Sequence, residues 1–393
     1  MKRIERVTID SRVADTPIAD RYRQWAESEG VSVELSGSVD KSAHDGHTLA
    51  SGKREVLVTP HRGAPVKQCT GLESDYVCCN LHVMHQTTNC PLDCSYCILQ
   101  AYINQPVTTV AANVDEMVAE VGRQVAEQPG RLFRIGTGDL GDALALDPLG
   151  GVTRELVPAM AALDNVVLEL KTKSDAVDQL LDLDHRGRVV VAWSINTPWV
   201  TSREEHLCAS ISDRLAAARR VIDAGYLVAF HFDPMIVHEG WDWRYPAVIE
   251  QIFESVPADR VAWLSMGALR FPPSMKKTME QRFPNNNLTT GELQIGRDGK
   301  MRYIKPLRIA LFKALYSSLL ESPGRDIFTY LCMESAEVWR RTISMETSVP
   351  KTNNELDFRF SQNVLSRFPH LRPPDFSWDA YADAVNLSQS VTG

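Results

Sequence analysis

The 393-residue sequence predicts an α/β fold built on a mostly parallel sheet, and three observations carry that expectation. Six short apolar runs rich in β-branched residues recur along residues 81–267, segments of helical period lie between them, and polar residues gather where the runs end. Strands that alternate with helices pair in parallel through right-handed crossovers. The runs are LHVMHQT (81–87), RLFRIG (131–136), VVLELK (166–171), VVVAWSIN (189–196), LVAFHFD (227–233) and VAWLSMG (261–267). Few of them alternate cleanly, as expected of strands buried on both faces. The helical segments are 114–128, 153–163, 174–183, 212–225 and 245–256, with a short helix after Cys97. Six strands suit a complete or partial barrel. A doubly wound open sheet is the alternative, because period alone does not fix closure.

The flanks read differently. Residues 1–55 are mixed in charge and poorly periodic, a polar N-terminal arm ahead of the barrel at 56–267. Residues 268–345 form a basic hairpin and helical extension: GRDGK (296–300) suits a turn between two short strands, and helices are expected at 309–321 and 335–341. The proline-interrupted stretch from 346 to 393 reads as an irregular C-terminal tail. Composition is ordinary for a globular protein, with 44% hydrophobic and 23% charged residues. No apolar run approaches the length of a membrane span, and the first 30 residues lack the apolar core of a secretory signal, so a cytoplasmic protein is expected. A net charge of −8 argues against coating nucleic acid by bulk electrostatics.

Six of the eight cysteines fall between Cys69 and Cys97, which in a long chain without a signal points to thiols or metal ligands rather than disulfides. NCPLDCSYCILQ (89–100) spaces Cys90, Cys94 and Cys97 by four and three. Three thiolates leave a structural zinc one ligand short. They can hold three irons of a [4Fe–4S] cluster and leave the fourth iron open to a cofactor or substrate. The alternative is a zinc site completed by Cys78, Cys79 or His82. The strand ends supply the remaining chemistry: GTGD (136–139), KTK (171–173), SIN (194–196), HFD (231–233) and SMG (265–267). Reactive groups of βα folds gather at such carboxyl ends. His231 and Asp233 are candidates there, His231 equally as a satisfied core histidine.

The cysteine motif after the first barrel strand, together with LELKTKSDAVDQLL, WSIN, SDRLAAARRVIDAGY, HEGWDWRY and LRFPP…MEQRFP, resembles the spore photoproduct lyase family of radical S-adenosylmethionine enzymes over roughly residues 56–310. The resemblance implies a partial (β/α)6 TIM-type barrel with an N-terminal arm and a C-terminal α+β extension carrying a β-hairpin. It implies a [4Fe–4S] cluster on Cys90, Cys94 and Cys97 that binds the amino and carboxylate groups of S-adenosylmethionine. One electron then splits the sulfonium to a 5′-deoxyadenosyl radical, which takes hydrogen from a thymine dimer in DNA. By the same resemblance Gly136, Thr137, Gly138 and Asp139 meet the methionine amino group, Lys173 its carboxylate, and Ser194 and Asn196 the ribose and carboxylate. A reducing partner such as a flavodoxin or ferredoxin is implied too.

Two positions depart from the family pattern. The repair enzymes return a hydrogen atom from a cysteine that opens a C-T-S-D stretch; here the stretch reads GTGD, with Gly136 in its place. They also carry a tyrosine on each side of the third cluster cysteine; here Tyr96 remains and Ile98 replaces the other. Cys332, Cys79 and Cys78 are the substitute donors to consider, each equally readable as a small buried apolar residue. Glu334 would be a polar contact if its segment covers the barrel mouth. Arg270, Lys276, Lys277, Arg282, Lys300, Arg302, Lys305 and Arg308, interleaved with Phe271, Phe283 and Tyr303, suggest a phosphate-tracking surface with aromatic wedges; a solvated charged face is the alternative. Two further readings stay open: the same radical chemistry on a nucleoside or peptide, and a non-catalytic iron–sulfur or zinc protein that binds nucleic acid.

Overall fold

A computed structural model describes residues 4–37, 48–69, 76–343 and 349–383. Its centre is one eight-stranded sheet: β1 (Val66–Gln68), β2 (His82–Met84), β3 (Phe133–Thr137), β4 (Val166–Thr172), β5 (Val189–Ser194), β6 (Leu227–Met235), β7 (Val261–Ala268) and β8 (Phe328–Leu331). The strands lie side by side in chain order. All neighbours are parallel except β1 and β2. This is a partial barrel, curled but open, with β1 and β8 as its edges, the form that the resemblance implies and the periodicity leaves open. All six expected strands are present. The two edge strands are additions: β1 is three residues long, and β8 lies in the extension, where its FTYL follows a long helix.

The strands are β-branched and buried on both faces, with Val189, Val190 and Val191 fully inaccessible. Helices Val114–Ala126, Thr153–Ala161, Ile211–Asp223 and Trp241–Ser255 cover the outer face close to the expected bounds. Ser210 caps the third of these by accepting from the Asp213 N–H. The segment 174–183 is a correction: it holds only a 3-10 turn, Asp178–Leu180. Thr172 and Ser174 hydroxyls accept from the N–H groups two residues on, a local bonding pattern that competes with helix.

The N-terminal segment is not an irregular polar arm over its described residues. Strands Arg6–Asp10, Ser32–Ser36 and Glu55–Thr59 form a second sheet with Thr108–Ala111 and Thr87–Thr88. Helix Pro17–Glu29, capped by Thr16 and ended by Gly30 at φ 66°, buries Ile18, Ala19, Tyr22 and Ala26. Part of the expected solvated stretch, residues 38–47, lies outside the described residues.

The tail is likewise more regular than expected. Helix Asn353–Arg367 buries Leu356, Phe360, Val364 and Leu365 at helical spacing, and Phe360 packs on Trp263 and Phe328 behind β7 and β8. In the extension, Leu293–Ile295 and Met301–Tyr303 form the expected hairpin, joined by Arg270–Phe271. Helices Lys305–Leu320 and Ala336–Thr342 follow. No helix among the described residues is long and apolar enough to cross a membrane.

Candidate active site

The cysteine loop leaves β2 and is clamped from several sides. Asn89 takes a left-handed φ of 67° and its Oδ1 accepts from the Cys90 N–H at 2.8 Å. Asp93–Cys94 pairs with Glu205–His206, and the Ser95 N–H donates to the Glu204 carbonyl. All three cysteines are free thiols; Cys90 and Cys94 are buried and Cys97 is half-buried. Leu92, Leu99 and Ala145 line them, with Ile98, Ile103 and Leu140 packed around. A buried lysine, Lys53, reaches in from the N-terminal sheet, 3.0 Å from Asp93 and donating to the Leu92 carbonyl.

This donor set fits a cubane. Three thiols stand on one rigid loop, walled from water by apolar side chains and attended by cations. Among the described residues, no three His, Cys, Asp or Glu side chains converge as they would on a single ion. The extra ligands a zinc site would draw on face elsewhere. His82 lies edge-on to Phe133, and Cys79 sits against Arg134.

Beside the loop, Tyr96 donates to Glu205, and Lys173 Nζ stands 5.7 Å over the Tyr96 ring. Glu205 also accepts from Arg214 at 2.6 Å and Thr201 at 3.2 Å, a fully buried charge pair that anchors the tyrosine. The GTGD turn follows β3. Gly138 has φ 94°, and a Cβ there would lie 2.2 Å from the Lys171 carbonyl oxygen. Asp142 holds the turn, accepting from the N–H groups of Leu144, Ala145 and Lys173 and from Thr172 Oγ1. Asp139 accepts from Lys171 through Oδ1, whereas its Oδ2 and the Thr137 hydroxyl are buried without a partner. Two orphaned acceptors at a strand end invite a ligand's donors. Gly138→Ala is therefore expected to cost at least about 2 kcal/mol of stability, read by thermal melting.

The β5 exit is more committed. The Ser194 carbonyl accepts from Arg214 at 2.8 Å. Asn196 donates to the Pro234 carbonyl and accepts from Tyr245 Oη and the Thr197 N–H, so its amide ties the β5 and β6 exits together.

The model of the spore photoproduct lyase family matches residues 77–316. This chain belongs to the spore photoproduct lyase family. It is 28% identical to the spore photoproduct lyase of Geobacillus sp. (strain Y412MC61) over 224 residues, 55% of this chain and just under two thirds, 66%, of that protein. It is 28% identical to that of Bacillus subtilis (strain 168) over 239 residues, covering 58% and 70% of the two chains. A spore photoproduct lyase complexed with dinucleoside spore photoproduct superposes with a TM-score of 0.72 at 24% identity, over 83% of this chain and 98% of that one. A doubly substituted form with bound AdoMet and dinucleoside spore photoproduct matches equally, at 0.72 and 24%, over 83% and 97%. These solved structures share the fold.

Within that family frame, the remaining sequence candidates fall into place unevenly. His231 is a core residue: Nε2 donates to Glu169 at 2.5 Å and Nδ1 accepts from Ser265 Oγ at 2.6 Å. Glu169 also accepts from Arg134 at 2.8 Å, and Arg134 donates to Tyr330 at 2.7 Å. Asp233 forms a two-pronged pair with Arg270 at 3.0 and 3.1 Å. Cys79 is buried behind this network, and the neighbouring Cys78 thiol, with Arg134, lowers its pKa to about 6 against burial. Glu334 pairs with buried Arg308 instead of facing the mouth.

The basic surface is the largest correction. Arg270 is neutralised by Asp233, Arg282 by Asp93, Lys300 and Arg302 by Asp298, Lys305 by Glu337 and Arg308 by Glu334. Phe271 and Tyr303 are buried, and Phe283 stacks on His206. Lys276 and Lys277 stay exposed on helix Met275–Arg282, the former 3.9 Å from Glu280. The sequence shows the basic residues but not the carboxylates that meet them across the fold. Lys53, Lys171, Glu205 and Asp142 were missed for the same reason, although Lys171 stands in the KTK strand end.

Proposed function

We propose that this protein is a radical S-adenosylmethionine enzyme that repairs a thymine-dimer spore photoproduct in DNA, in keeping with relatives named spore photoproduct lyase. The observation that carries the reading is the three-thiol loop at the mouth of the half-barrel, facing a strand end with unpaired acceptors at Asp139 and Thr137. When bound, a [4Fe–4S] cluster on Cys90, Cys94 and Cys97 supplies the electron that splits S-adenosylmethionine into methionine and the hydrogen-abstracting 5′-deoxyadenosyl radical.

The chain's own residues bind and shield. Asp139 Oδ2 is free to accept from the methionine amino group while Lys171 holds the carboxylate in orientation through Oδ1. Lys173 offers a cation to the methionine carboxylate from beside Tyr96. Ser194 lines the β5 exit, and Asn196 positions it. Leu92, Leu99, Ile98 and Leu140 exclude water from the cysteine loop, which protects a radical from quenching. At the hairpin, Ile295 is two-thirds exposed, an apolar wedge for an opened duplex. A flavodoxin or ferredoxin as electron source and a cytoplasmic location complete the proposal.

A second reading, the same chemistry on a different substrate, draws on Gly136 and on the internal pairing of the basic residues. The two separate experimentally. After anaerobic reconstitution with iron and sulfide, dithionite and S-adenosylmethionine should yield 5′-deoxyadenosine, and dimer-containing DNA should revert to thymines. Formation of 5′-deoxyadenosine without dimer reversal would move the assignment to nucleosides or peptides. Its absence under every condition would sink both.

A further inference from the structure

We infer that Cys332 is the hydrogen-atom donor of this chain, supplying from the residue just past β8 the thiol that the family pattern places at Gly136; the inference rests on the radical reading above. Side chains of a strand alternate between faces, so inward residues of a curled sheet form tiers. One tier is fixed by direct contacts: Arg134 on β3, Glu169 on β4, His231 on β6, Ser265 on β7 and Tyr330 on β8. Two residues further along each strand comes the next tier toward the mouth. It consists of Gly136, Lys171, Asp233, Gly267 and Cys332. The position without a side chain and the extra thiol therefore share a tier.

Contacts within that tier bear this out. A Cβ on Gly136 would lie 3.6 Å from Asp139 Oδ2, and Asp139 pairs with Lys171. A Cβ on Gly267 would fall 2.6 Å from the Asp233 carboxylate. Asp233 holds Arg270, whose Nη2 is 3.3 Å from Cys332 Sγ. The thiol is also built into place. The Cys332 N–H donates to the Met266 carbonyl, and Met333 turns the chain through a left-handed φ of 54°. Arg302 of the hairpin donates to the Met333 carbonyl at 3.1 Å, so the thiol lies at the base of the element proposed to meet DNA. Glu334 is bridged to Val77, which joins the chain beyond β8 to the chain ahead of β2 and draws the two sides of the open barrel together at this point.

Cys332 also suits the chemistry better than its rival. It is half-accessible, whereas Cys78 and Cys79 are buried. Burial and the Asp233 carboxylate push its pKa up and keep hydrogen on sulfur, with Arg270 opposing. Cys79 is buried against Arg134, which with the neighbouring Cys78 thiol favours its thiolate form against burial. In the transfer, the product carbon radical takes hydrogen from Sγ: the S–H bond breaks, a C–H bond forms, and the unpaired electron stays on sulfur. One electron from the reductant that primes the cofactor and one solvent proton restore the thiol.

Thiol hydrogen exchanges with solvent, so turnover in D2O should place deuterium at the carbon that carried the radical. Cys332→Ala should still form 5′-deoxyadenosine and strip label from the dimer, yet lose the deuterated thymine product. Cys332→Ser, closer in shape, should lose it equally, which covers the case in which the alanine variant folds poorly. Gly136→Cys added to Cys332→Ala should restore it, because the Leu81 side-chain end 3.2 Å from the new Cβ can give way. Unchanged deuterium delivery by both Cys332 variants overturns the inference, as does its loss in Cys79→Ala alone. If the parent forms no 5′-deoxyadenosine with dimer DNA, the reading of the site fails as well, and that result is distinct from a donor failure.

Discussion

Cys94→Ala is expected to strip most of the iron from the reconstituted protein and reduce 5′-deoxyadenosine formation to background, while leaving the melting temperature nearly unchanged. The middle thiol sits on the two-residue strand Asp93–Cys94, whose backbone pairing to Glu205–His206 needs no sulfur. The Asn89 side chain and the Ser95 to Glu204 bond hold the loop on either side. Loss of the thiol therefore removes a ligand without removing a support. Cys208 lies 3.6 Å from Cys94, so the double variant with Cys208→Ala guards against a substitute ligand. Iron and acid-labile sulfide per chain, with 5′-deoxyadenosine measured in the same samples, decide it. Intact iron and turnover in the double variant would end the cluster assignment.

Glu169→Gln should be the most damaging substitution for stability, at about 3–5 kcal/mol, with a matching drop in the denaturation midpoint. Glu169 is almost wholly buried and accepts from Arg134, His231 and, at 3.3 Å, Trp263. An amide in its place leaves the buried Arg134 guanidinium without a counter-charge and sets a donor against donors. The pH profile provides an independent check. Burial alone would raise the Glu169 pKa, but Arg134 and His231 outweigh it and hold the carboxyl far below the usual range. A depressed folded-state pKa gives stability that is fully present above the unfolded value of about 4.3 and is lost progressively as pH falls from there through the lower folded value. The parent should therefore lose stability below that pH more steeply than the glutamine variant. Parallel profiles would mean that Glu169 is not the charged centre of the network.

How much of this was legible in the sequence depended on whether the signal was local. Val189, Val190 and Val191 announce a strand whatever surrounds them, and the Cys90, Cys94 and Cys97 spacing announces its chemistry without any neighbour. Ile18, Tyr22 and Ala26 also carried a local signal, one face of a helix behind the Thr16 cap, but single apolar residues among many charges read as part of a polar arm. Leu356, Phe360 and Val364 repeat that lesson at the other end, where prolines at 369 and 373–374 drew attention from the helix before them. The basic extension failed for a different reason. Arg302 and Arg308 look like phosphate ligands until Asp298 and Glu334 are brought against them, and nothing in a linear sequence ties residue 308 to residue 334. Cys332 shows the converse: in the sequence it is one of three candidate donors, and only the alternation of the strands sets it apart from Cys78 and Cys79.

Lys53 ties the beginning of the chain to the chemistry of the barrel. It leaves the N-terminal sheet, is itself buried, and ends against Asp93 and the Leu92 carbonyl inside the cysteine loop. The five-stranded layer thus acts as a plinth that carries a positive charge beneath the three cysteines of the loop. A shortened polypeptide beginning at the barrel proper would keep every cysteine and still lose that cation, so the smallest fragment expected to hold a cluster on this loop starts well upstream of the cysteine motif.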